Sequence, residues 1–203
     1  LNDATKSANN TIKDNTVNDN SDIAIFNHGI FTKIINNTVK YNEQDGIKIA
    51  SDGARSSISS NNLVDNEGKS IIILAKNVAI ESNTIDADSS EIAISILNAN
   101  FASIENNTIE GGNLGIKVQN STSSFIYNNT IKSNSGYGIQ VLINSESASV
   151  KYNQLTDNED NAIVISSSNS TEVYNNTIKE NAGYGFVATN SKLLDFKGNT
   201  IED

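Results

Sequence analysis

A short phrase, Asn-Asn-Thr-Ile, recurs along this chain at a nearly fixed interval and restricts the possible fold more than any other feature. Complete copies begin at Asn9, Asn106, Asn128 and Asn175, and degenerate copies fill the spaces between them. The second Asn of each copy, or its best substitute, is called the marker Asn below. The nine markers are Asn15, Asn37, Asn61, Asn83, Asn107, Asn129, Asn153, Asn176 and Asn199, at intervals of 22 to 24 residues. A repeat of this period along a whole chain predicts a solenoid.

Apolar residues keep the same register as the markers. The residues three before and two after each marker are apolar at all eighteen positions, as Ile104 and Ile109 are around Asn107. A third apolar segment follows most markers, and it alternates with period two, as a half-buried strand does. Three short strands per repeat, rich in Ile and Val and separated by Asn, Asp, Ser and Gly, predict a parallel β-helix.

Leucine-rich repeats are the rival solenoid, because they share the period and also place apolar residues three before and two after an Asn. They would require a further apolar residue five positions before the marker, where several repeats of this chain have polar residues, such as Asn10, Thr32 and Ser56. The chain also uses Ile in place of Leu, and its second alternating segment is not helical in pattern. The sequence therefore favours the β-helix.

The combination of Asn-Asn-Thr-Ile with Gly-Ile-x-Val resembles the right-handed parallel β-helix repeats of the pectate-lyase-like superfamily, over nearly the whole chain. The resemblance implies an all-β fold: one right-handed parallel β-helix domain over residues 1–203, with about nine coils of 22–24 residues and three short strands in each. That superfamily includes lyases, hydrolases, epimerases, phage tailspikes and surface proteins, so the repeat does not decide the activity.

The marker Asn has a physical role in such a fold. An inward Asn at the same point of every coil can donate a hydrogen bond to one neighbouring coil and accept one from the other, with coils about 4.8 Å apart. Neither end shows an obvious cap, since Asn199 lies four residues from Asp203 and no amphipathic helix precedes Asn15. Open ends would expose strand edges. We therefore expect a fragment of a longer protein, or ends packed end to end against another chain or a neighbouring domain.

Composition excludes several classes of function. The chain has no Cys, so disulfides, thiolate metal sites and thiol catalysis are excluded. Its net charge of −10 argues against nucleic-acid binding, which depends on clustered Lys and Arg. Apolar runs stop at about six residues, so we expect no membrane span. An acidic surface rich in Asn, Ser and Thr predicts an extracellular or cell-surface protein.

Catalytic candidates are few. The enzymes of the superfamily use clustered carboxylates with a basic residue, and its epimerases use an Asp-Pro-His-Asp motif that a chain without Pro cannot contain. His28 is the only His, and histidine suits proton transfer near neutral pH. Its expected partners are Asp45 and Glu43, in the adjacent coil, and Lys33. Arg55 is the only Arg. The alternative is that His28 is an exposed residue closing a strand and that Arg55 is a solvated turn residue.

Two acidic turns are candidate calcium sites, because calcium prefers six to eight oxygen ligands. The first turn contains Asp86, Asp88 and Glu91, and the second contains Asp157, Glu159 and Asp160. Neither turn has the twelve-residue loop with a closing Glu that is typical of calcium-binding helix–loop–helix proteins. The alternative is that both turns are simply solvated, in which case no cofactor is expected.

The residue two before each marker is predicted to face outward, since its neighbours in the strand face inward. In the C-terminal half this row contains Tyr127, Lys151, Tyr174 and Lys197. Sugar rings stack on exposed aromatic side chains, and an ammonium between them could bind a carboxylate or sulfate of an acidic glycan. These four residues are the candidate ligand-binding residues. The alternative is that Tyr and Lys merely suit exposed strand positions.

Three functions are consistent with these patterns. The sequence favours a non-catalytic extracellular or cell-surface module, a rigid stalk or adhesive that contacts a polysaccharide or another surface glycan. The first alternative is a part of a polysaccharide lyase, epimerase or glycoside hydrolase, although the regular spacing leaves no room for long catalytic loops. The second is an engineered or idealised solenoid, although the irregular turn at 52–57 argues against it.

Overall fold

A computed structural model describes residues 7–88 and 90–202 of the chain, which form a right-handed parallel β-helix. The first sheet has nine strands: β1 (Thr11–Lys13), β4 (Lys33–Ile35), β7 (Ser57–Ser59), β10 (Ala79–Glu81), β13 (Ser103–Glu105), β16 (Phe125–Tyr127), β19 (Ser149–Lys151), β22 (Glu172–Tyr174) and β25 (Asp195–Lys197). The second sheet also has nine: β2 (Thr16–Asn18), β5 (Thr38–Lys40), β8 (Asn62–Val64), β11 (Thr84–Asp86), β14 (Thr108–Glu110), β17 (Thr130–Lys132), β20 (Gln154–Thr156), β23 (Thr177–Lys179) and β26 (Thr200–Glu202). The third has eight: β3 (Ile25–Asn27), β6 (Ile47–Ile49), β9 (Lys69–Ile73), β12 (Ile92–Leu97), β15 (Leu114–Gln119), β18 (Tyr137–Leu142), β21 (Ile163–Ser166) and β24 (Phe186–Thr189).

Every strand pairs in parallel with the corresponding strand of the next coil, so each sheet is a stack of coils. Within the described ranges no residue is helical, which rules out the leucine-rich alternative. Two sheets have nine strands and the third has eight, close to the nine coils predicted.

The core is a narrow column of stacked Ile, Val and Leu side chains. The register places Ile80 beside Ile104 and Ile104 beside Ile126, and all three are fully buried. At the last described coil the same rows are open, since Phe196 is 39% exposed and Ile201 is 48% exposed. Each coil therefore buries its apolar side chains only against its neighbours, as expected of a solenoid.

The predicted Asn ladder is present at the corner between the first and second sheets. Asn107 is typical: its Nδ2 donates to Oδ1 of Asn129 at 3.0 Å and to the carbonyl of Ile80 at 3.0 Å. Its own Oδ1 accepts from Nδ2 and from the backbone N–H of Asn83, both at 3.0 Å. The ladder runs without interruption from Asn15 to Asn199.

The residue before each marker has a left-handed backbone conformation. These residues are Asp14, Asn36, Ser60, Ser82, Asn106, Asn128, Tyr152, Asn175 and Gly198. Asn, Asp and Gly tolerate positive φ better than other residues do. The Asn-Asn pair of the repeat is thereby explained: the first Asn makes the corner and the second enters the ladder.

Two further polar ladders were not predicted from the sequence. Asn residues five positions after the marker form a second ladder, with Asn134 donating to Asn158 and Asn158 to Asn181, both at 2.7 Å. It is interrupted where Asp88 and Gly112 take the Asn position, and next to Gly112 the buried Oδ1 of Asn134 has no donor among the described residues. A ladder of Ser hydroxyls lies at the corner between the third and first sheets. Each hydroxyl accepts a hydrogen bond from a backbone N–H of the preceding coil, and the residues are Ser121, Ser145, Ser168 and Ser191.

Candidate functional site

The outward row of the first sheet has the predicted order. In consecutive strands the register aligns Tyr127 with Lys151, Lys151 with Tyr174, and Tyr174 with Lys197. The four candidate ligand-binding residues therefore lie side by side on one face, one coil apart.

The charges of this row are already paired within the protein. Nζ of Lys151 lies 2.7 Å from the Glu172 carboxylate and 4.8 Å from the centroid of the Tyr174 ring. Nζ of Lys197 lies 4.4 Å from the centroid of the same ring and 3.5 Å from the Asp195 carboxylate. Both ammonium groups thus have a carboxylate of the protein within ion-pair distance. Glycan binding by this row stays a prediction.

Tyr174 is held inside this network. Its hydroxyl donates a hydrogen bond to the Asp195 carboxylate. That hydrogen bond is the main cause that raises the pKa of Tyr174 and lowers the pKa of Asp195. The negative charge of Asp195, in turn, raises the pKa of Lys197. Tyr174 therefore has ammonium groups at its ring and a carboxylate at its hydroxyl.

A contiguous group of three aromatic rings lies around Tyr127. The ring of Tyr127 stacks on Phe125 at a centroid distance of 5.3 Å and an interplanar angle of 12°. It meets the ring of Tyr152 edge-on, also at 5.3 Å. Tyr152 stands at the corner in a left-handed conformation and is 48% exposed. Phe125, Tyr127 and Tyr152 are called the aromatic patch below.

Sequence reasoning missed two members of the aromatic patch. Phe125 lies four residues before its marker, in the same strand as Tyr127 and on the same outward side. Tyr152 takes the corner position that Asn, Asp, Ser or Gly occupies in the other coils. A bulky residue at a corner that favours small polar ones was the signal available in the sequence.

The catalytic candidates do not assemble as expected. His28 follows β3, and its Nδ1 lies 3.1 Å from Oδ1 of Asp52. The expected partner Asp45 precedes β6, whereas Asp52 follows it, so Asp45 accepts from the backbone N–H of Lys69 instead. The prediction of Asp45 as the partner of His28 is therefore wrong, because the strand β6 separates the two turns.

The other two catalytic candidates lie in different elements. Lys33 begins β4 in the first sheet and has no hydrogen bond or ion pair with His28 in the described part of the chain. The guanidinium of Arg55 lies at the corner before β7, 5.4 Å from the centroid of the Phe31 ring. A catalytic role for any of these residues stays a prediction.

The two acidic turns do not form compact groups. In residues 7–88 and 90–202 no three His, Asp or Glu side chains are arranged to hold a metal ion. In the first turn, Glu91 pairs with Lys69 at 3.1 Å. In the second, Asp157 and Glu159 line an open groove together with Glu180. Calcium binding at either turn stays a prediction.

Asp86, at the end of β11, is the acidic candidate with a perturbed carboxyl group. Burial raises its pKa above the usual 3.8, and the negative charges of Asp88, Asp65 and Glu110 raise it further. The charged form is therefore less favourable in the folded protein than in the unfolded chain.

We expect Asp86→Asn to stabilise the protein at neutral pH and to raise the melting temperature by about 1–2 °C. The destabilisation by charged Asp86 is absent below the usual pKa of 3.8 and develops as the pH rises towards the raised value. The gain should therefore disappear in thermal melts below pH 3.8. Asp19→Asn, at an exposed corner, is the control and should change neither melt. A gain that persists in acid would contradict the electrostatic cause.

The repeats of this chain match those of a known protein family. Residues 55–201, well over half of its length, match the family described as "Right handed beta helix region". The chain belongs to this family. A search of curated protein sequences returned no match.

Several solved structures share the fold. The A-module of the mannuronan C-5 epimerase AlgE6 from Azotobacter vinelandii superposes with a TM-score of 0.71 at 15% identity, over 97% of this chain and 65% of that one. The N-terminal fragment of gene product 12 of bacteriophage Phi29 superposes with a TM-score of 0.57 at 12% identity, over 100% of this chain and 46% of that one. The catalytic unit of a GH87 α-1,3-glucanase from Streptomyces thermodiastaticus strain HF3-3 superposes with a TM-score of 0.52 at 10% identity, over 95% of this chain and 50% of that one.

At these identities the similarity extends to the fold alone. The chain spans less than two thirds of the length of each of the three structures. In its described residues no helix is long and apolar enough to cross a membrane.

Proposed function

We propose that this chain is a non-catalytic glycan-binding module, in which the β-helix is a rigid support for the aromatic patch. One observation carries the proposal: Phe125, Tyr127 and Tyr152 form a contiguous set of ring contacts, the first two on the outer side of a regular sheet and the third at its corner. Such a group offers flat apolar surface with a polar hydroxyl at the rim, which suits the C–H faces and hydroxyls of a sugar ring.

The pairing of charges around the patch favours a neutral glycan. Lys151 is bound to Glu172, and Lys197 is bound to Asp195. An acidic glycan would have to break these ion pairs to reach the ammonium groups, whereas a neutral sugar can pack on the rings and leave the pairs intact. The paired residues can then donate to and accept from sugar hydroxyls at the edge of the patch.

The stiffness and charge of the module indicate the kind of protein to which it belongs. A β-helix is stiff along its axis because each coil is held by three sheets and by buried ladders. Such a module could serve as a stalk or adhesive of a larger extracellular or cell-surface protein. Its acidic surface, with a net charge of −10, agrees with that setting.

The test is binding of neutral oligosaccharides, screened on a glycan array and measured by calorimetry. The double variant Tyr127→Ser/Tyr152→Ser is expected to bind at least about tenfold more weakly than the wild type, because two stacking rings are removed. Tyr41→Ser is a matched control for the corner position, since Tyr41 is 54% exposed and has a φ of 54°, close to Tyr152 with 48% and 58°.

The control variant should bind as the wild type does, because no ring contact joins Tyr41 to the aromatic patch. Equal affinity of the double variant and the wild type would reject the patch as the binding surface. Absence of any glycan binding by the wild type would reject the proposed function and leave a purely structural stalk.

A second candidate function, a part of a polysaccharide-active enzyme, is favoured by one observation, the contact between His28 and Asp52. A carboxylate only accepts hydrogen bonds, so Nδ1 of His28 is the donor at 3.1 Å and Nε2 is left for proton transfer. Incubation with uronate polymers and with α-1,3-glucan, followed by assays for unsaturated products and new reducing ends, decides between the two functions. Product formation that His28→Asn abolishes would favour the enzyme.

A further inference from the structure

The third sheet differs from the other two in the charge of its strands. None of its eight strands contains Asp or Glu. The strands of the first sheet contain four such residues and those of the second contain three: Glu81, Glu105, Glu172 and Asp195, and then Asp86, Glu110 and Glu202. In a chain with a net charge of −10, the outer side of the third sheet is therefore the sheet surface that a second protein can cover without desolvating a carboxylate of a strand.

The C-terminal part of this sheet also lacks cations. Its last three strands, β18, β21 and β24, contain no charged residue of either sign. Their outward side chains form two rows across the three strands, and the register gives these rows as Gln140, Val164 and Val187, and Leu142, Ser166 and Thr189. These six residues, together with Ile143 at the end of β18, are called the uncharged face below. Leu142, Val164 and Val187 are partly exposed, so a partner can reach the apolar side chains of this face.

Ile143 borders the uncharged face in an unfavourable backbone conformation. The Ser ladder aligns Ser145 with Ser121 and Ser168, so the segment from Leu142 to Ser145 is one residue longer than the same segment of both neighbouring coils. The additional residue is Ile143, which is 49% exposed and has a φ of 39°. Within the described ranges it is the only β-branched residue with positive φ. An apolar side chain held at the surface in this conformation is explained if a partner covers it.

The chemistry of the uncharged face restricts its partner. A charge placed against the valines would lose its hydration without gaining a counter-charge, so the partner must itself present a flat surface without charges. A second copy of the chain presents such a surface. Contact through this face also keeps the strand carboxylates of both copies in water, although each copy carries a net charge of −10. A twofold axis brings the same surface of two copies together, and sheet faces pack about 10 Å apart.

We infer that the uncharged face is a dimerisation surface, on which two copies pack third sheet against third sheet about a twofold axis. Leu142, Val164 and Val187 form the apolar centre of the contact, and Ile143 is buried at its border. Thr189 donates a hydrogen bond to the Ser166 hydroxyl at 2.9 Å, so these two groups partner one another beneath the second copy.

The inference does not rest on the proposed function. Phe125 and Tyr127 lie on the first sheet, and Tyr152 lies at the corner between the first and second sheets. The aromatic patch is therefore outside the contact between the copies and stays free in the dimer. A dimer carries two such patches, one on each copy.

The size of the contact predicts a weak dimer. The five strands from β12 to β24 measure about 24 Å by 20 Å, which is roughly 500 Å² for each copy. A standard interface buries about 800 Å² for each partner. Lys117, in the outward row of β15, has a long side chain that can keep its ammonium in water at the edge of this area. We therefore expect a dissociation constant above about 10 μM.

The experiment is sedimentation equilibrium of the full chain from about 5 to about 500 μM, a range that brackets the expected dissociation constant. We expect a monomer–dimer equilibrium that strengthens when NaCl is raised from about 0.05 to about 0.5 M. Salt screens the repulsion between two copies that each carry −10, and the contact contains no ion pair that salt could weaken.

Two substitutions locate the contact. Val164→Lys should weaken the dimer at least about tenfold, because each copy then places a charge in the apolar centre. Val64→Lys is the matched control, since Val64 is a partly exposed, outward residue of β8 in the second sheet. The control should dimerise as the wild type does, and so should Tyr127→Ser/Tyr152→Ser.

A third substitution tests Ile143 with two measurements. Asn tolerates positive φ, so Ile143→Asn should raise the melting temperature of the monomer at about 5 μM, below the expected dissociation constant. The same substitution should weaken the dimer, because it removes an apolar side chain from the border of the contact. A variant with a higher melting temperature and unchanged dimerisation would remove Ile143 from the contact and contradict the inference.

The inference is wrong if the wild type stays monomeric up to about 500 μM, well above the expected dissociation constant. It is also wrong if Val164→Lys dimerises as tightly as the wild type, which would place the contact on another surface. Association that continues beyond the dimer would show an open-ended contact between two different surfaces. A dimer that salt weakens would show an ion-paired contact elsewhere.

Discussion

Asn107→Ala is expected to lower the free energy of unfolding by about 3–5 kcal/mol. The side chain is 1% exposed, and it both donates to and accepts from neighbouring coils. Without it, the backbone N–H of Asn83 loses its acceptor and the carbonyl of Ile80 loses a donor. Each buried group that is left without a partner costs about 1–3 kcal/mol. Urea unfolding followed by circular dichroism measures the change.

Asn106→Gly is the matched control for this prediction. Asn106 is the adjacent residue, but its side chain is exposed and its φ of 57° suits Gly. Its only described side-chain hydrogen bond, from Asn128 at 2.8 Å, is solvent-exposed. The control should change the stability by less than about 1 kcal/mol. Similar losses in the two variants would show that the corner, and not the ladder, determines the stability.

Ile109→Ala is expected to lower the free energy of unfolding by about 2–5 kcal/mol. Ile109 is fully buried in the middle of the second sheet, between Ile85 and Ile131. The cavity has little room to collapse, because the hydrogen bonds of three sheets fix the spacing of the coils. The measurement is the midpoint and slope of urea unfolding.

Ile201→Ala is the control, with the same substitution in the same apolar row. Ile201 is 48% exposed because no described coil lies beyond it. Its loss should be below about 1 kcal/mol. In a solenoid each coil contacts only its neighbours. Ile109→Ala should therefore also lower the cooperativity of unfolding, which broadens the urea transition. Equal effects at the two positions would contradict a continuous core.

The fold was predictable because the repeat states each structural requirement many times. Asn107, Ile104 and Ile109 each belong to a row that recurs in every coil, so one register explains the whole chain. The second and third ladders were not predicted, because their members are less regular: Gly112 interrupts the Asn ladder, and Ser145 and Ser168 resemble ordinary turn residues in sequence.

The candidate sites were less predictable, since contacts between coils depend on side-chain direction as well as on register. The row of Tyr127 and Lys151 was correctly aligned, but the pairing of Lys151 with Glu172 depends on a diagonal contact that the row alone does not show. Likewise, His28 was assigned to Asp45, whereas counting from the markers places it opposite Asp52. Both residues lie nine positions before their marker, Asn37 and Asn61.

The amide column from Asn15 to Asn199 has a direction. In every step Nδ2 of the earlier coil donates to Oδ1 of the later one, so all side-chain dipoles along the axis are oriented alike. Oδ1 of Asn15 is therefore the acceptor end of the described column, and Nδ2 of Asn199 is its donor end. Two such solenoids can continue the column across a junction only head to tail, since head-to-head contact would oppose acceptor to acceptor.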